Sequence, residues 1–337
     1  MPRLNKSDDI LFPVEECSVF VSFADPDGES MVPVPGKKAI VNQRNRHVLG
    51  IVSSGYRLVT NREALDMAYE CCRTVFPEIK PGEWEVTGTD APSTAGHCHM
   101  DLVHNSAALD FHFVPAAERP EAFGPFIRVA NSYNGLRALA FDIGFYRKVC
   151  KNGLILPDSI IHFRFNHMRH DIGDRIEFAV SHERLAKLKT SFGKYLGALR
   201  DCTVPRPCFE PLACEVLCLR PPELLEPDTP KDDRCFDEWR TLTAHLGCLG
   251  DRYANDLGEN AYAVLNTVTE FASYPPANRC VHRDRNSFQR LAGAWLNTFS
   301  QECGKPDFSI TQYLEKASKK RADTAAAPGA VLDGSPS

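Results

Sequence analysis

Arginine and phenylalanine side chains alternate along a predicted β-hairpin between Phe126 and Ile143, a pattern that suits the binding of an anion. Two strand-like runs flank Asn134-Gly135, which predicts a two-residue type I′ turn because both turn positions need positive φ. In the register that this turn sets, Arg128 and Arg137 share one face with aromatic residues. Arginines can neutralise phosphates and exposed aromatic rings can stack on bases, so the hairpin predicts a nucleic-acid surface.

Basic residues continue beyond the hairpin. Residues 128–200 hold 13 Lys and Arg against 6 Asp and Glu, a net charge of +7, whereas the rest holds 26 against 38, a net charge of −12. Such a region can bind a polyanion, or an acidic neighbour in the same fold can balance it. The candidate phosphate contacts are Arg128, Arg137, Arg147, Lys148, Lys151, Arg164 and Arg169, and the candidate stacking residues are Tyr133 and Phe141. Alternatively, the aromatic rings belong to the core and the arginines surround it.

A second candidate site consists of histidines on the preceding predicted strands. His97 and His99 lie two residues apart, so they share a face with Asp101, and His112 lies on the expected partner strand. Two histidines and a carboxylate can hold a metal ion, which would suit a nuclease or an antirestriction factor. The competing interpretation is that these histidines are structural or solvent-exposed.

No further motif assigns a reaction to the chain. It contains no Gly-x-Ser-x-Gly, no Gly-x-x-x-x-Gly-Lys and no Gly-x-Gly-x-x-Gly, so neither a nucleophilic serine nor a nucleotide-binding loop is indicated. Cys98 stands between two histidines, but neighbouring residues of a strand point to opposite faces, which argues against an activated thiol. We therefore predict no cofactor.

The composition is that of an average soluble globular protein, with 43% hydrophobic and 25% charged residues among 337. No apolar run approaches the ~18 residues of a membrane span, and the chain does not begin with a segment of signal-peptide type. We expect a cytoplasmic protein that does not contact a membrane. Its thirteen cysteines include no Cys-x-x-Cys pair, which favours free thiols over a disulfide or zinc framework.

Hydrophobic periods of two dominate the first half of the chain and periods of 3.6 the second, which predicts an α+β fold with antiparallel hairpins and a few helices first and a helical second half. Asn61 is the expected N-cap of an early helix. Residues 108–114 are expected to pair with the strand at 97–104. The expected segments are an N-terminal segment with one strand at 1–34, a β-rich core with the basic middle at 35–202, a Pro- and Cys-rich linker or loop at 203–233, a helical region packing on the core at 234–317 and a disordered tail at 318–337.

Several short segments, in order, resemble the phage/plasmid-like domain-of-unknown-function family 932. They are Gly55-Tyr-Arg-Leu-Val-Thr-Asn-Arg-Glu-Ala-Leu-Asp, Val129-Ala-Asn-Ser-Tyr-Asn-Gly-Leu-Arg-Ala-Leu, Arg147-Lys-Val-Cys-Lys-Asn-Gly-Leu, His167 with its flanks, and Leu265-Asn-Thr-Val-Thr-Glu-Phe-Ala. The similarity spans roughly residues 35–300 and implies a protein carried by phages, plasmids and integrated elements. It transfers no reaction, but that setting favours work on DNA during replication, recombination or transfer.

Three functions follow as hypotheses. The first is a non-enzymatic DNA-binding protein that prefers single strands and uses the basic middle. The second is an enzyme or metal-binding protein built on the His97, His99, Asp101 and His112 group. The third is an interaction module for a host protein, with its surface on the helices of residues 259–301, and a homo-oligomer is compatible with each.

Overall fold

Strands occupy the first half of the chain and helices the second, so the fold is α+β, as predicted. The computed structural model describes residues 3–4, 10–25, 28–92, 94–115, 120–150, 152–156, 163–165, 181–222 and 233–326. The chain divides into two units. The first consists of Met1–Phe111, Ala122–Tyr146 and Ile155–Lys189, and the second of His112–Glu121, Arg147–Leu154 and Thr190–Ser337.

The strands form two sheets. They are β1 Arg3–Leu4, β2 Val14–Asp25, β3 Gly28–Asn42, β4 Val48–Ser53, β5 Trp84–Pro92, β6 His97–His104, β7 Phe111–Phe113, β8 Glu121–Ser132, β9 Leu139–Arg147, β10 Gly153–Ile155 and β11 Phe163–Phe165. The larger sheet has the order β1-β5-β6-β8-β9-β10, with β11 beside β9 and β7 beside β8, and the smaller has the order β2-β3-β4. The expected pairing of residues 108–114 with 97–104 is therefore wrong, because β6 lies between β5 and β8.

The helix α1 Asn61–Val75 lies in the first unit and begins one residue earlier than expected. Its N-cap is Thr60, whose side chain accepts a hydrogen bond from Glu63 N at 3.1 Å, while the Glu63 carboxylate accepts one from Thr60 N at 2.7 Å. This capping box satisfies two amides at the helix start. The Asn61 side chain is thereby available for tertiary contacts, and it donates to Ile10 O at 2.8 Å.

The connection between β8 and β9 is longer than a two-residue turn, because six residues separate Ser132 from Leu139. Gly135 has φ +71°, but Asn134 is not among the residues with positive φ, so the predicted type I′ turn is wrong. The Asn134 Oδ1 atom instead accepts hydrogen bonds from Ser132 Oγ at 2.7 Å and from Leu136 N at 3.1 Å. An asparagine that closes such a local turn accommodates the extra residues.

Helices make up most of the second unit. In chain order the remaining helices are α2 His182–Asp201, which crosses from the first unit to the second, α3 Phe209–Val216, α4 Asp233–Leu257, α5 Ala261–Ser273, α6 Arg285–Cys303 and α7 Ile310–Ala326. α5 is the central helix, since every residue from Ala261 to Ser273 except Glu270 is buried. Its N-cap is Asn260, whose Oδ1 accepts from Ala263 N at 2.9 Å.

The described part of the expected linker is folded. Arg206–Cys208 form a 3-10 turn that runs into α3, and Phe209 and Leu212 are buried. Prolines are tolerated in the first turn of a helix, where they remove no internal hydrogen bond, so the prolines before and within α3 are compatible with it. Residues 223–232 and 327–337 lie outside the described residues, and α7 extends to Ala326 within the expected tail.

Among the helices of the described ranges, none is both long enough and apolar enough to cross a lipid bilayer. All thirteen cysteines carry free thiols in this structure.

The close approach of β4 to the 133–138 turn yields a test of the fold. A β-carbon at Gly50 would lie 2.4 Å from Asn134 Cα and 2.7 Å from Tyr133 O, both of which are backbone atoms. We expect Gly50→Ala to lower the free energy of unfolding by about 2 kcal/mol or more, since overpacking against backbone cannot relax by a rotamer change. Thermal denaturation measures the effect. The control is Gly82→Ala, whose new β-carbon meets nothing within 4 Å; equal melting temperatures for the two variants would contradict the contact.

Candidate functional site

One face of the large sheet carries polar and charged side chains. In the β6–β8 register, His97 lies opposite Ser132, His99 opposite Ala130 and Asp101 opposite Arg128. Residues two apart on a strand share a face, so His97, His99 and Asp101 of the predicted histidine group lie on this one together with Arg128. His99, Asp101 and Arg128 are buried, whereas His97 is half-buried.

Asp101 and Arg128 form a bidentate ion pair inside this face. The Arg128 Nε and Nη2 atoms donate to the two carboxylate oxygens of Asp101, each at 2.6 Å, and the side chains are only 2% and 7% exposed. The Arg128 guanidinium also lies 5.5 Å from the centre of the Phe126 ring. Parallel hydrogen bonds of this kind are strong and fix both groups in place. This arrangement makes Arg128 a structural residue and is incompatible with the predicted phosphate contact.

Arg137 is placed differently, although it shares the face. It is half-buried, and its Nη1 atom lies 3.2 Å from His99 Nε2. It follows Leu136, which is 81% exposed at the outer side of the 133–138 turn. Arg137 is thus the hairpin arginine that reaches the surface of the first unit.

A second turn lies against this one. Tyr56 Oη donates to Ser132 O at 2.6 Å, and a β-carbon built on Gly135 would lie 3.9 Å from Tyr56 Cε2. Tyr56 is followed by the exposed Arg57. We call the surface formed by residues 53–57 and 134–137, together with His97, the turn patch. Its segments contain two arginines and no Asp or Glu.

Arg57 and Leu136 are members of the turn patch that sequence reasoning missed. Both lie within segments that carry the family resemblance, but the contact between those segments comes from tertiary hydrogen bonds that periodicity does not reveal. The alternation of polar and apolar residues identifies which residues share a strand face, whereas the approach of a loop from outside the hairpin has no comparable signal.

The predicted stacking residues lie in the interior. Tyr133 and Phe141 are both almost fully buried, and Tyr133 Oη accepts a hydrogen bond from Asn61 N at 2.8 Å. Burial raises the pKa of Tyr133 well above its ordinary value. Next to it, Asn131 Nδ2 donates to Val59 O at 2.8 Å and to Asn61 Oδ1 at 2.9 Å. These contacts join the hairpin to the start of α1, and neither ring is available to a base.

Arg147 takes part in a separate network in the second unit. Its guanidinium pairs with Glu121, through Nε at 2.7 Å and also through Nη2, and Nη1 donates to Asn266 Oδ1 at 3.3 Å. Tyr262 Oη donates to the same Glu121 carboxylate at 2.5 Å. Burial lowers the pKa of Arg147, but the hydrogen bond to Glu121 and the charges of Tyr262, Glu121 and Cys150 together raise it above its ordinary value, so the guanidinium stays charged.

A neighbouring network joins Asn152, in the family segment that begins at Arg147, to residues of α4 and α5. Asn152 Nδ2 donates to Tyr253 Oη at 3.2 Å, and Tyr253 Oη donates to Glu270 Oε2 at 2.5 Å. Arg252 pairs with the same carboxylate. Burial raises the pKa of Glu270, but the hydrogen bonds from Arg252 and Tyr253 outweigh burial and hold it below its ordinary value. The segment after Arg147 is therefore anchored on α5.

Of the remaining predicted contacts, Lys148 and Arg164 are not members of the turn patch. Lys148 is half-buried at the end of β9, and Arg164 lies in β11 with its backbone opposite Ala140. Lys151 and Arg169 lie outside the described residues, as does His167.

The histidine group does not assemble into a metal site. His112 belongs to the second unit and is exposed, whereas the other three members belong to the first. The His97 and His99 ring centres are 6.3 Å apart, and Asp101 is held by Arg128. Within the part of the chain that the structure describes, no group of three or more His, Cys, Asp or Glu side chains could hold a metal ion. Cys98 is buried, and burial raises its pKa to about 12, so its thiol is not activated.

The fold and these contacts define a two-unit α+β protein with the internal ion pairs Asp101–Arg128 and Glu121–Arg147. Residues 48–295 match the family model described as Domain of unknown function (DUF932), which covers more than half of the chain. The chain belongs to this family, as the order of the short segments predicts. Neither a curated protein nor a solved structure matches it.

The two hairpin arginines should differ in their effect on stability. We expect Arg128→Ala to lower the free energy of unfolding by about 3–5 kcal/mol, because it leaves the Asp101 carboxylate buried without its ion pair. Arg137→Ala should cost less than about 1 kcal/mol, since its side chain is half-exposed. Urea denaturation followed by circular dichroism compares them. Similar losses in the two variants would contradict the distinction between a structural and a surface arginine.

The Glu270 network predicts a dependence of stability on pH. The folded-state pKa of Glu270 lies below its ordinary value of 4.5, so its stabilisation is fully present above about pH 4.5 and is lost as the pH falls through the folded-state pKa. Glu270→Gln should lower the free energy of unfolding by about 1–3 kcal/mol at pH 7 and by much less in acid. Melting temperatures from pH 3 to 8 test this. Glu302→Gln, which removes an exposed pair with Lys305, should change little; a Glu270→Gln deficit that persists in acid would contradict the account.

Proposed function

We propose that this protein is a non-enzymatic, cytoplasmic DNA-binding protein that prefers single strands and contacts them through the turn patch. The proposal retains the predicted ligand but changes the predicted contacts. Arg137 remains, Arg57 and Leu136 are added, and the buried or internally paired residues Arg128 and Arg147 are removed.

The observation that carries the proposal is the composition of the turn patch. Two arginines at or near the surface come from separate segments that a tertiary hydrogen bond holds together. No carboxylate occurs in those segments, so the local sequence favours an anionic ligand. Phosphates need only cationic reach and no particular sequence, which makes the DNA backbone a fitting partner.

Leu136 supports the preference for single strands. It is an exposed apolar side chain at the outside of a turn, next to Arg137. Apolar side chains in such positions can insert between bases once the bases are unstacked, while a neighbouring cation holds the backbone. Unstacking costs least in a single strand, so we infer that single strands bind better than duplexes.

We infer that this activity serves replication, recombination or transfer of a mobile element, the setting that the resemblance to phage and plasmid proteins favours. Such processes expose single-stranded DNA, which an accessory protein can bind without performing chemistry itself. This setting is part of the proposal, and it makes single-stranded DNA the first ligand to test.

Fluorescence anisotropy with labelled oligothymidine and with a duplex of equal length, each at several salt concentrations, tests the proposal. We expect salt-sensitive binding that is tighter for the single strand. Arg137→Ala and Arg57→Ala should each weaken binding by about tenfold at low salt and reduce the slope of log affinity against log salt by about 0.7. Leu136→Ser should weaken single-strand binding with little change in that slope.

The matched control is Arg73→Ala, which removes the same charge from the exposed face of α1, where Arg73 pairs with Glu70. It should leave affinity unchanged. An equal loss of affinity in Arg73→Ala would show that the Arg137 and Arg57 variants act only through net charge, which would contradict the turn patch as the site. The absence of binding by the wild-type protein at low salt would overturn the proposal.

The other two hypotheses have less support. A metal-dependent enzyme or antirestriction factor would need a ligand group that the described residues do not assemble. A host-protein surface on the helices of residues 259–301 would need exposed apolar side chains there. In that range, all of which the structure describes, Tyr274 is the one exposed large hydrophobic residue.

A further inference from the structure

The outer part of the β2–β3 hairpin is a two-stranded ribbon. Its register pairs Phe20 with Pro33, Val21 with Val32 and Ser22 with Met31, and continues to the turn. β4 pairs with β3 only between Lys37 and Val41, so no strand within the described ranges extends the ribbon. We call the ribbon formed by residues 20–25 and 28–33 the arm.

Both faces of the arm expose large apolar side chains. The exposed fractions are 51% for Phe20, 44% for Val21, 52% for Phe23, 68% for Met31 and 50% for Val32. A two-stranded hairpin is only marginally stable in water without a surface to pack on. Clustered exposed apolar side chains of this kind mark an interaction site.

The charges along the arm identify what covers it. Near its tip, Glu29 accepts a hydrogen bond from Ser22 Oγ at 2.5 Å and is exposed. At its base, Lys37 is exposed and Lys38 pairs with Glu16. The register places Glu29 opposite Ala24 and Lys38 opposite Ser18, so the middle of the arm lies near Val21 and its cross-strand partner Val32. Two arms that pack antiparallel about this point therefore bring Glu29 of each near Lys37 of the other.

We propose that the arm is a homodimer interface in which two copies of this chain pack their arms face to face and antiparallel around a two-fold axis near Val32. The axis brings Phe20 and Met31, which are next to Val21 and Val32 in the arm, close to the partner copy. The apolar side chains form the centre of the interface and the Glu29–Lys37 contacts form both ends. A self-complementary surface of this kind is what a two-fold interface requires.

Edge-to-edge pairing fits the arm less well. Antiparallel pairing of two β2 edges would bring Asp25 of one copy near Glu15 of the other, and like charges opposite each other are unfavourable. Pro33 and Pro35 lack the amide hydrogens that an added strand would need on β3. Packing through side chains avoids both problems.

A charge exchange tests the proposal directly. In sedimentation-velocity experiments at micromolar concentration, the wild-type protein should be a dimer. Glu29→Lys and Lys37→Glu should each raise the dimer dissociation constant by about tenfold or more, since each replaces two attractive contacts by two repulsive ones. An equimolar mixture of the two variants should recover the dimer, because both end contacts are again attractive in the mixed pair. No other occupant of the arm predicts this recovery.

Apolar variants provide a second measurement. Phe20→Ser with Met31→Ser should abolish the dimer and leave a folded monomer, because both side chains are exposed. Val149→Ser, which changes a still more exposed apolar side chain outside the arm, should leave the dimer intact. A wild-type monomer, a dimer insensitive to the arm variants, or a monomer that floats with phosphatidylcholine vesicles through Phe20 and Met31 would each overturn the proposal. None of these outcomes alters the test of the turn patch.

Discussion

The buried ion pair between Asp101 and Arg128 sets the organisation of the first unit. Two charges in the middle of a sheet are tolerated only when each satisfies the other, and here both carboxylate oxygens accept a guanidinium hydrogen bond. The pair fixes the register of β6 against β8, since a shift by one residue would turn one partner to the opposite face. That register in turn places His99 beside Arg137 and brings the 133–138 turn to the end of the sheet.

In each unit, polar side chains of the segments that carry the family resemblance form internal hydrogen bonds. In the first unit, Asn131 and Tyr133 bond to the residues that begin α1. In the second, Asn152 and Arg147 bond to Glu270 and Asn266 of α5. Polar side chains in these segments therefore act mainly as internal connections. This explains how short, widely spaced segments can identify a fold without identifying a reaction.

The sequence was sufficient for the order of strands and helices, but not for the Asn134-Gly135 turn, where six residues connect β8 to β9 instead of two. The α+β order follows from the change of hydrophobic period from two to 3.6 along the chain. The candidate site was predicted only in part. The hairpin pattern placed Arg128 and Arg137 on one face, but nothing in it distinguishes a buried arginine from a surface one. That difference depends on Asp101, which comes from another strand. Arg57 reaches the turn patch through a hydrogen bond of its neighbour Tyr56, which no periodicity encodes.

The central claim is that single-stranded DNA contacts the turn patch. Ultraviolet cross-linking of bound oligothymidine, followed by mass spectrometry of the peptides, tests it most directly. The account predicts cross-links within residues 53–57 and 134–137, and their loss when unlabelled oligothymidine competes. Cross-links confined to residues 147–150 or to the helices of the second unit would contradict it.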